Sequence, residues 1–204
     1  MSAGPPTIDL RWLHSADDAV RAQVHRVATG VMERGGAVGW LGVPTRAESD
    51  AWLDGILAAV AAGSARLAVA VVAGDGGAGR IEALGRWVRY EKPVVAVNAD
   101  VQQVMVHPAA RGRGLARAVV TALVADARRH GVETLTLDTR GNNYAAMALY
   151  ESLGFAVRGR LRDFVAVGDE RWDRVLYALD LRTADAPLRR HGAAAIGPGA
   201  SHLR

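Results

Sequence analysis

The sequence predicts an α/β domain with a mixed, mostly antiparallel sheet, flanked by helices and containing one parallel strand–helix–strand crossover. Two segments with helical spacing come first, and three β-prone runs separated by short turns follow them. The rest of the chain alternates helix, strand, helix, strand and strand. Strands joined by a helix within one sheet run parallel with a right-handed crossover, so the crossover from residues 101–106 through a helix to residues 134–138 should be parallel and right-handed.

Composition limits the class of protein. The chain has 204 residues, half of them hydrophobic, which supports a single domain with its own core, predicted over residues 1–182. Residues 183–204 show little periodicity and are predicted to form a mobile tail. No apolar run approaches the roughly 20 residues of a membrane span, and residues 1–12 do not resemble a signal peptide. A cytoplasmic protein without membrane contact is expected.

Charge and cysteine content exclude several function classes. The formal net charge is +4, but the arginines are spread along the chain, so nucleic acid is not an expected partner. The absence of cysteine excludes disulfides, cysteine metal sites and a covalent acyl-cysteine intermediate. The six histidines show no metal-ligand spacing, so no metal site is predicted.

Two helices are predicted near the N-terminus. The first covers residues 19–34 and ends at Gly35. Its apolar positions are Val20, Val24, Val27, Ala28 and Val31. The second begins at the capping box of Thr45 and Glu48, whose side chains satisfy each other's backbone donors, and it ends at Gly63.

Three β-prone runs follow the helices, over residues 67–73, 80–90 and 94–106. The glycine-rich turn at residues 74–79 suggests a hairpin between the first two runs, and the turn at residues 91–93 contains a proline. These features predict a meander of three strands.

The second half of the chain alternates helices with strands. The predicted elements are a helix over residues 114–130, a strand over 134–138, a helix over 143–153 and two strands over 155–162 and 172–181. Val119 and Leu123 lie on the apolar face of the first of these helices, whereas Asp126 and Arg129 interrupt that face in its last turns.

An anion-binding turn is predicted at six residues: Arg111, Gly112, Arg113, Gly114, Leu115 and Ala116. They lie between an apolar strand and a helix, so several backbone N–H groups point to one place and the helix adds roughly half a positive charge. The two glycines let the backbone approach a phosphate, and the two arginines add charge-assisted hydrogen bonds. A diphosphate-bearing cofactor is the expected ligand.

Two common nucleotide-binding patterns do not fit this turn. A dinucleotide-binding fingerprint needs a third glycine where Arg117 stands. A phosphate-binding loop needs a Gly-x-x-x-x-Gly-Lys-Ser/Thr string, which the chain does not contain. The diphosphate must therefore belong to another kind of cofactor.

A second motif covers residues 143–155. Its apolar residues recur at helical spacing and Gly154 ends the helix. Tyr150 then either belongs to the core or directs its hydroxyl group into a cleft.

Together the two motifs resemble the GNAT superfamily of N-acetyltransferases. The string Arg111-x-x-Gly114-x-Ala116 resembles the acetyl-CoA pyrophosphate loop of that family, and residues 143–155 resemble its N-x-x-A-x-x-x-Y-x-x-x-G-F helix. The strong match covers residues 101–155, and the order of elements extends it over residues 8–181. Three further strings resemble tabtoxin-resistance-type acetyltransferases, which modify a small amine-bearing toxin; they cover residues 35–39, 100–106 and 137–139.

The resemblance implies that parallel strands splay around acetyl-CoA, the co-substrate. Backbone groups of Val104, Met105 and Val106 would pair with the pantetheine arm, and one of these N–H groups would polarise the thioester carbonyl. The diphosphate would bind the N–H groups of residues 111–116. Asn143 matches the family position that contacts the cofactor arm.

The reaction also needs proton-transfer groups. A free alkylamine has a pKa near that of lysine, about 10.4, so some group must take its proton. Asp100 and Asp138 are the candidate bases, with Glu82 as a weaker third, although each could equally be a solvated strand-end carboxylate. Tyr150 matches the family tyrosine that protonates the leaving thiolate. Because the chain has no cysteine, direct transfer in a ternary complex is expected.

Aromatic residues are candidates for the wall of an acceptor pocket. Trp52 lies on the apolar face of its helix, which favours a core role, whereas Trp40 lies in a glycine-flanked loop and is the better candidate; Trp87 is the third.

The expected function is transfer of an acetyl group from acetyl-CoA to a primary amine of a small molecule, with an antibiotic or a toxin among the candidates. The alternatives are a protein N-terminal or lysine acetyltransferase and a non-catalytic acyl-CoA-binding module. A monomer or a homodimer is expected.

Overall fold

The computed structural model of the chain describes residues 8–36, 39–73 and 79–182. The strands are β1 Ile8–Trp12, β2 Ala65–Ala73, β3 Gly79–Arg89, β4 Ala99–Val106, β5 Thr134–Arg140, β6 Ala156–Val167 and β7 Glu170–Asp180. The helices are α1 Asp18–Met32, α2 Arg46–Ala61, α3 Leu115–Arg129 and α4 Tyr144–Ser152. The predicted tail, residues 183–204, and most of the predicted turn at 74–79 lie outside the described residues.

The seven strands form one sheet in the order β1-β2-β3-β4-β5-β7-β6. Only the β4–β5 pair in this sheet is parallel, and α3 forms its crossover, which confirms the predicted mixed sheet. On one face α1 and α2 pack on a core that contains Leu53, Ile56 and Met105. On the other face α3 packs on a core that contains Leu123 and Trp87. In the described chain, no helix is long and apolar enough to cross a membrane.

The parallel pair is short. β4 and β5 pair only at Ala99 with Leu135 and at Asp100 with Thr136, although β4 has eight residues and β5 has seven. Beyond Asp100 the two strands diverge, so within the described chain the edge of β4 that faces β5 has no ladder partner there. The divergence creates the opening that holds the candidate site.

A β-bulge in β4 lies just beyond the last parallel pair. The register between β3 and β4 shifts so that Gln103 and Val104 both lie opposite Gly85, and Gln103 has a φ of 53°. A Cβ added to Gly85 would lie 2.9 Å from the Cγ1 atom of Val119, so α3 packs directly over this glycine. Because a bulge bends its strand, it contributes to the separation of β4 from β5.

Three strand predictions differ clearly from the structure. The strand predicted over residues 155–162 extends to Val167 as β6. β1 was not predicted, because its five residues alternate apolar with polar for too short a stretch to stand out. The strand predicted over residues 94–106 begins only at Ala99, since Pro93 starts the 3₁₀ turn Pro93–Val95 and proline has no N–H group for a ladder.

Candidate active site

The divergence of β4 and β5 opens a cleft of about 350 Å³. Five residues that the sequence predicted for chemistry or cofactor binding line it: Asp100, Val104, Asp138, Asn143 and Tyr150. The other lining residues are Gly36, Val101, Gln102, Gln103, Thr139, Arg140, Val165 and Arg174. The fold therefore brings both candidate bases, the candidate acid and two of the predicted cofactor contacts, Val104 and Asn143, into one space.

The Gly/Arg turn lies beyond the end of β4 and leads into α3. Gly112 and Gly114 have φ values of 76° and 78°, and an added Cβ on either would meet nothing within 4 Å. In the described chain, the N–H groups of residues 112–117 have no backbone acceptor. Because these donors lie at the N-terminus of a 15-residue helix, they are suited to an anion.

Side chains and backbone have separate roles in this region. Met105 and Leu115 are each 1% exposed, and their side chains belong to the two cores. Only their backbone groups are therefore available to a ligand. Of the three β4 residues predicted to contact the cofactor, Val104 is the one that lines the cleft.

Asn143 links the cleft to α4. It is the N-cap of that helix, and its Oδ1 atom accepts a hydrogen bond from the backbone N–H of Ala146 at 3.3 Å. The cap fixes the side chain at the helix N-terminus. Asn143 thus lies at the start of α4 and borders the cleft, and its contact with the cofactor arm stays a prediction.

Tyr150 is 8% exposed and lines the cleft from α4. Its ring packs against Phe155 and Tyr177, with centroid distances of 5.9 and 6.1 Å. Burial, reinforced by the negative charge of Asp138 and by Tyr177, raises the pKa of the Tyr150 phenol to about 12. The sequence left open whether this residue belongs to the core or to the cleft, and the structure places it in both.

Asp100 is half-buried and accepts hydrogen bonds from neutral groups. Thr136 donates its hydroxyl to Oδ1 at 2.6 Å, and Gln102 donates its amide to Oδ2 at 3.0 Å. Burial raises the pKa of the Asp100 carboxyl above its ordinary value, and the negative charge of Asp138 adds to this effect; the two hydrogen bonds and Arg174 oppose it.

Asp138 has a different environment in the same cleft. Arg174 donates to its Oδ1 atom at 2.5 Å, so this carboxylate forms an ion pair across β5 and β7. Arg174 also lies 5.5 Å from the ring centroid of Phe164, which places the guanidinium over an aromatic face.

Several other predicted candidates lie away from the cleft. Glu82 pairs with Arg26 at 2.9 Å, and it is not among the cleft-lining residues. Trp87 is fully buried in the core, and Trp40 packs edge-to-face on Trp52 with a centroid distance of 5.1 Å. None of the three tryptophans therefore lines the cleft in the described structure.

Sequence reasoning missed the residues that complete the site. Arg140 and Arg174 line the cleft from β5 and β7, and Gln102 and Gln103 line it from β4. Alternation along β4 from Asp100 would have placed Gln102 on the same face as Asp100, so a signal was present. The pairing of Asp138 with Arg174 on β7 depends on the register of the two strands, and the sequence carried no local signal for that register.

The chain belongs to the acetyltransferase (GNAT) family, whose model matches residues 26–155. Among its relatives, a ribosomal protein bS18-alanine N-acetyltransferase of Escherichia coli (strain K12) is 38% identical over 88 residues, or 43% of this chain and 60% of that protein. An L-methionine sulfoximine/L-methionine sulfone acetyltransferase of Salmonella typhimurium is 36% identical over 90 residues, or 44% of this chain and 48% of that protein. The chain therefore aligns with about half to three fifths of the length of these relatives.

Solved structures of the family share the fold. An acetyltransferase structure from Salmonella typhimurium, with its cofactor acetyl-CoA, has a TM-score of 0.72 at 23% identity and covers 88% of this chain and 97% of that chain. A phosphinothricin acetyltransferase from Sinorhizobium meliloti, in complex with acetyl-CoA, has a TM-score of 0.67 at 19% identity and covers 92% of this chain and 95% of that chain. These similarities establish the fold of the domain.

Proposed function

We propose that this protein transfers an acetyl group from acetyl-CoA to the primary amine of a small molecule. The observation that carries the proposal is the early end of the β4–β5 ladder at Asp100, which leaves Asp100, Asp138 and Tyr150 around one cleft. Membership of the acetyltransferase family supports the reaction, and the two solved neighbours that hold acetyl-CoA support the donor.

The described residues fit this donor. The open N–H groups of residues 112–117, with Arg111 and Arg113 beside them, would hold the diphosphate. The free edge of β4 at Val104, Met105 and Val106 would pair with the amide groups of the pantetheine arm. Asn143 borders the same cleft from the start of α4.

Asp100 is the better of the two candidate bases. Its pKa is raised, mainly by burial, so it accepts a proton more readily than an ordinary aspartate. Asp138 is already engaged in an ion pair with Arg174 at 2.5 Å. We therefore assign proton removal to Asp100, and to Asp138 we assign attraction of the substrate ammonium group and orientation of Arg174.

Tyr150 serves best as a hydrogen-bond donor to the leaving sulfur. A phenol with a pKa of about 12 is fully protonated at neutral pH. Full proton transfer to a thiolate, whose conjugate acid has a pKa near ~8.5, would be uphill by about 5 kcal/mol. A donated hydrogen bond stabilises the developing negative charge without that cost.

Acetylation of a protein N-terminus is the second candidate, because the 38%-identical relative is named for an alanine of ribosomal protein bS18. The cytoplasmic location and the monomeric or dimeric state stay predictions.

Release of CoA thiol from acetyl-CoA tests the proposal, with L-methionine sulfone, an aminoglycoside and an alanine-ended peptide as acceptors. Small-molecule acetylation predicts thiol release with at least one of the two small amines, and loss of that release in the Asp100→Asn variant. Release with the peptide alone would move the assignment to protein N-terminal acetylation. Binding of acetyl-CoA without release to any acceptor would favour a non-catalytic acyl-CoA-binding module.

A further inference from the structure

We propose that the hydroxyl groups of Thr136 and Tyr90 form a proton exit from Asp100 to solvent. The inference rests on the proposed function. An alkylammonium ion and acetyl-CoA give an amide, a free thiol and one proton. Of the two protons that the nitrogen loses, one protonates the leaving thiolate, and the other must pass out of the cleft in each turnover. Asp100 can take that proton, but it must lose it again before the next turnover.

An unbroken chain of hydrogen bonds leads away from Asp100. The Oγ1 atom of Thr136 lies 2.6 Å from the Oδ1 atom of Asp100 and donates to it. The hydroxyl oxygen of Tyr90 lies 2.6 Å from the same Oγ1 atom, and either of these two groups can be the donor. Tyr90 is 39% exposed, so this chain of hydrogen bonds ends at the protein surface.

The sheet holds the three groups in register. Asp100 and Thr136 are direct partners at the last paired position of β4 and β5. Tyr90 directly follows β3, and its backbone N–H donates to the carbonyl of Asn98 at 3.2 Å. The chain of hydrogen bonds therefore crosses three neighbouring strands. It lies at the end of the cleft where β4 and β5 still pair with each other.

The second oxygen of Asp100 is held separately. Gln102 donates its amide to Oδ2 at 3.0 Å, and Arg86 donates to the amide oxygen of Gln102 at 2.7 Å. This support fixes the carboxyl group, so that Oδ1 stays directed at Thr136. The charged and titratable groups around Asp100 are Asp138 on β5, Arg174 on β7, Arg86 on β3 and Tyr90.

The two hydroxyl groups can pass the proton from Asp100 to solvent without a net change in their own protonation. Asp100, protonated by the amine, gives its proton to the Oγ1 atom of Thr136. Thr136 gives its own hydroxyl proton to the oxygen of Tyr90, and Tyr90 releases its phenolic proton to water. Each hydroxyl group ends with one proton, Asp100 is again a carboxylate, and one proton has reached solvent.

The variants Tyr90→Phe and Thr136→Val interrupt the chain of hydrogen bonds at different points. We expect kcat to fall at least about tenfold at low buffer concentration, less than the ~10²–10⁴ of a direct proton-transfer group because water can replace part of the chain. The KM for acetyl-CoA should not change. Added imidazole, a small proton carrier, should restore kcat in both variants and leave the wild type unaffected.

Thr136→Ser keeps the hydroxyl group and should behave like the wild type, as should Thr134→Val, the same change two residues earlier on β5.

The acceptor in this test is L-methionine sulfone, or the alanine-ended peptide if the sulfone is not acetylated. Wild-type kcat in both folded variants, or a loss of kcat that imidazole does not restore, would overturn the proton exit. A wild type that releases no thiol with either acceptor would instead overturn the proposed function, so the two failures can be told apart.

Discussion

At the scale of single residues, environment distinguishes two aspartates that are chemically identical. Asp100 accepts hydrogen bonds from a hydroxyl and an amide, whereas Asp138 is paired with a guanidinium. Burial raises the pKa of Asp100 because a charge in a poorly solvated place costs free energy. The same cost makes Asp100 a readier proton acceptor than an ordinary aspartate and a source of instability.

Replacing Asp100 should separate these two effects. Asp100→Asn should lower kcat/KM for the amine by about 10²–10⁴ at neutral pH, because a proton-transfer group is lost.

The raised pKa of Asp100 means that folded wild-type protein binds this proton more tightly than unfolded protein. The stability that the bound proton contributes is therefore lost as pH rises through the folded pKa. The stability of Asp100→Asn relative to the wild type should therefore increase from pH 4 to pH 7, as measured by urea unfolding. A relative stability that falls over this range would contradict the account of Asp100.

Tyr150→Phe removes one hydroxyl group from the cleft and leaves the ring in place. Loss of one hydrogen bond to a developing negative charge should lower kcat by about 10²–10³, with little effect on the KM for acetyl-CoA. Steady-state kinetics at pH 7 measures both values. Because the pKa of Tyr150 is about 12, the wild-type kcat should show no limb from this phenol below pH 9. Full turnover by a folded variant would remove Tyr150 from the chemistry.

At the scale of elements, α3 connects the anion-binding turn to the sheet and carries an unusual buried charge. Asp126 is 1% exposed, and this explains why its position interrupts the apolar face of the helix. Its carboxylate accepts hydrogen bonds from the indole of Trp87 at 3.1 Å and from Arg129 at 3.0 Å, and it lies 3.3 Å from Arg66. A buried carboxylate with such partners orients α3 against β2 and β3.

Removing this carboxylate should destabilise the domain far more than removing a surface one. Asp126→Ala should lower the free energy of unfolding by about 3–5 kcal/mol, because a buried indole and an arginine lose their acceptor. Asp54→Ala is the control: Asp54 pairs with Arg21 at 2.5 Å, but its side chain is 60% exposed, and such surface pairs contribute little to stability. Urea unfolding of the two variants measures the difference, and equal losses would show that Asp126 does not orient the helix.

At the scale of the whole molecule, local patterns predicted most of the fold. Helical spacing and the capping box at Thr45 predicted the helices to within a few residues, and the crossover rule predicted the parallel pair. β1 and the late start of β4 were missed, since a five-residue strand gives a weak periodic signal and Pro93 redirects the chain. Both errors concern short segments whose structure depends on neighbouring strands.

The site was predictable where its residues follow each other in the chain. The turn at residues 111–116 and the α4 helix with Tyr150 carry their signals locally. Arg174 and Thr136 come from sheet register, and the left-handed Gln103 comes from a bulge whose position depends on β3. Sequence reasoning therefore predicted the elements proposed to bind the donor and missed the groups that surround the candidate base.

The open N–H groups at the start of α3 should bind the diphosphate of acetyl-CoA, and thermal unfolding with CoA tests this binding most directly. At 100 times its Kd, CoA should stabilise the wild type by ~2.7 kcal/mol and raise Tm by roughly 5–10 °C. Gly114→Glu places a negative side chain in this anion site and should abolish the shift. Gly63→Glu, at a glycine with a similar φ of 72° and equally open space at the end of α2, should keep it. An unchanged shift in Gly114→Glu would contradict the site.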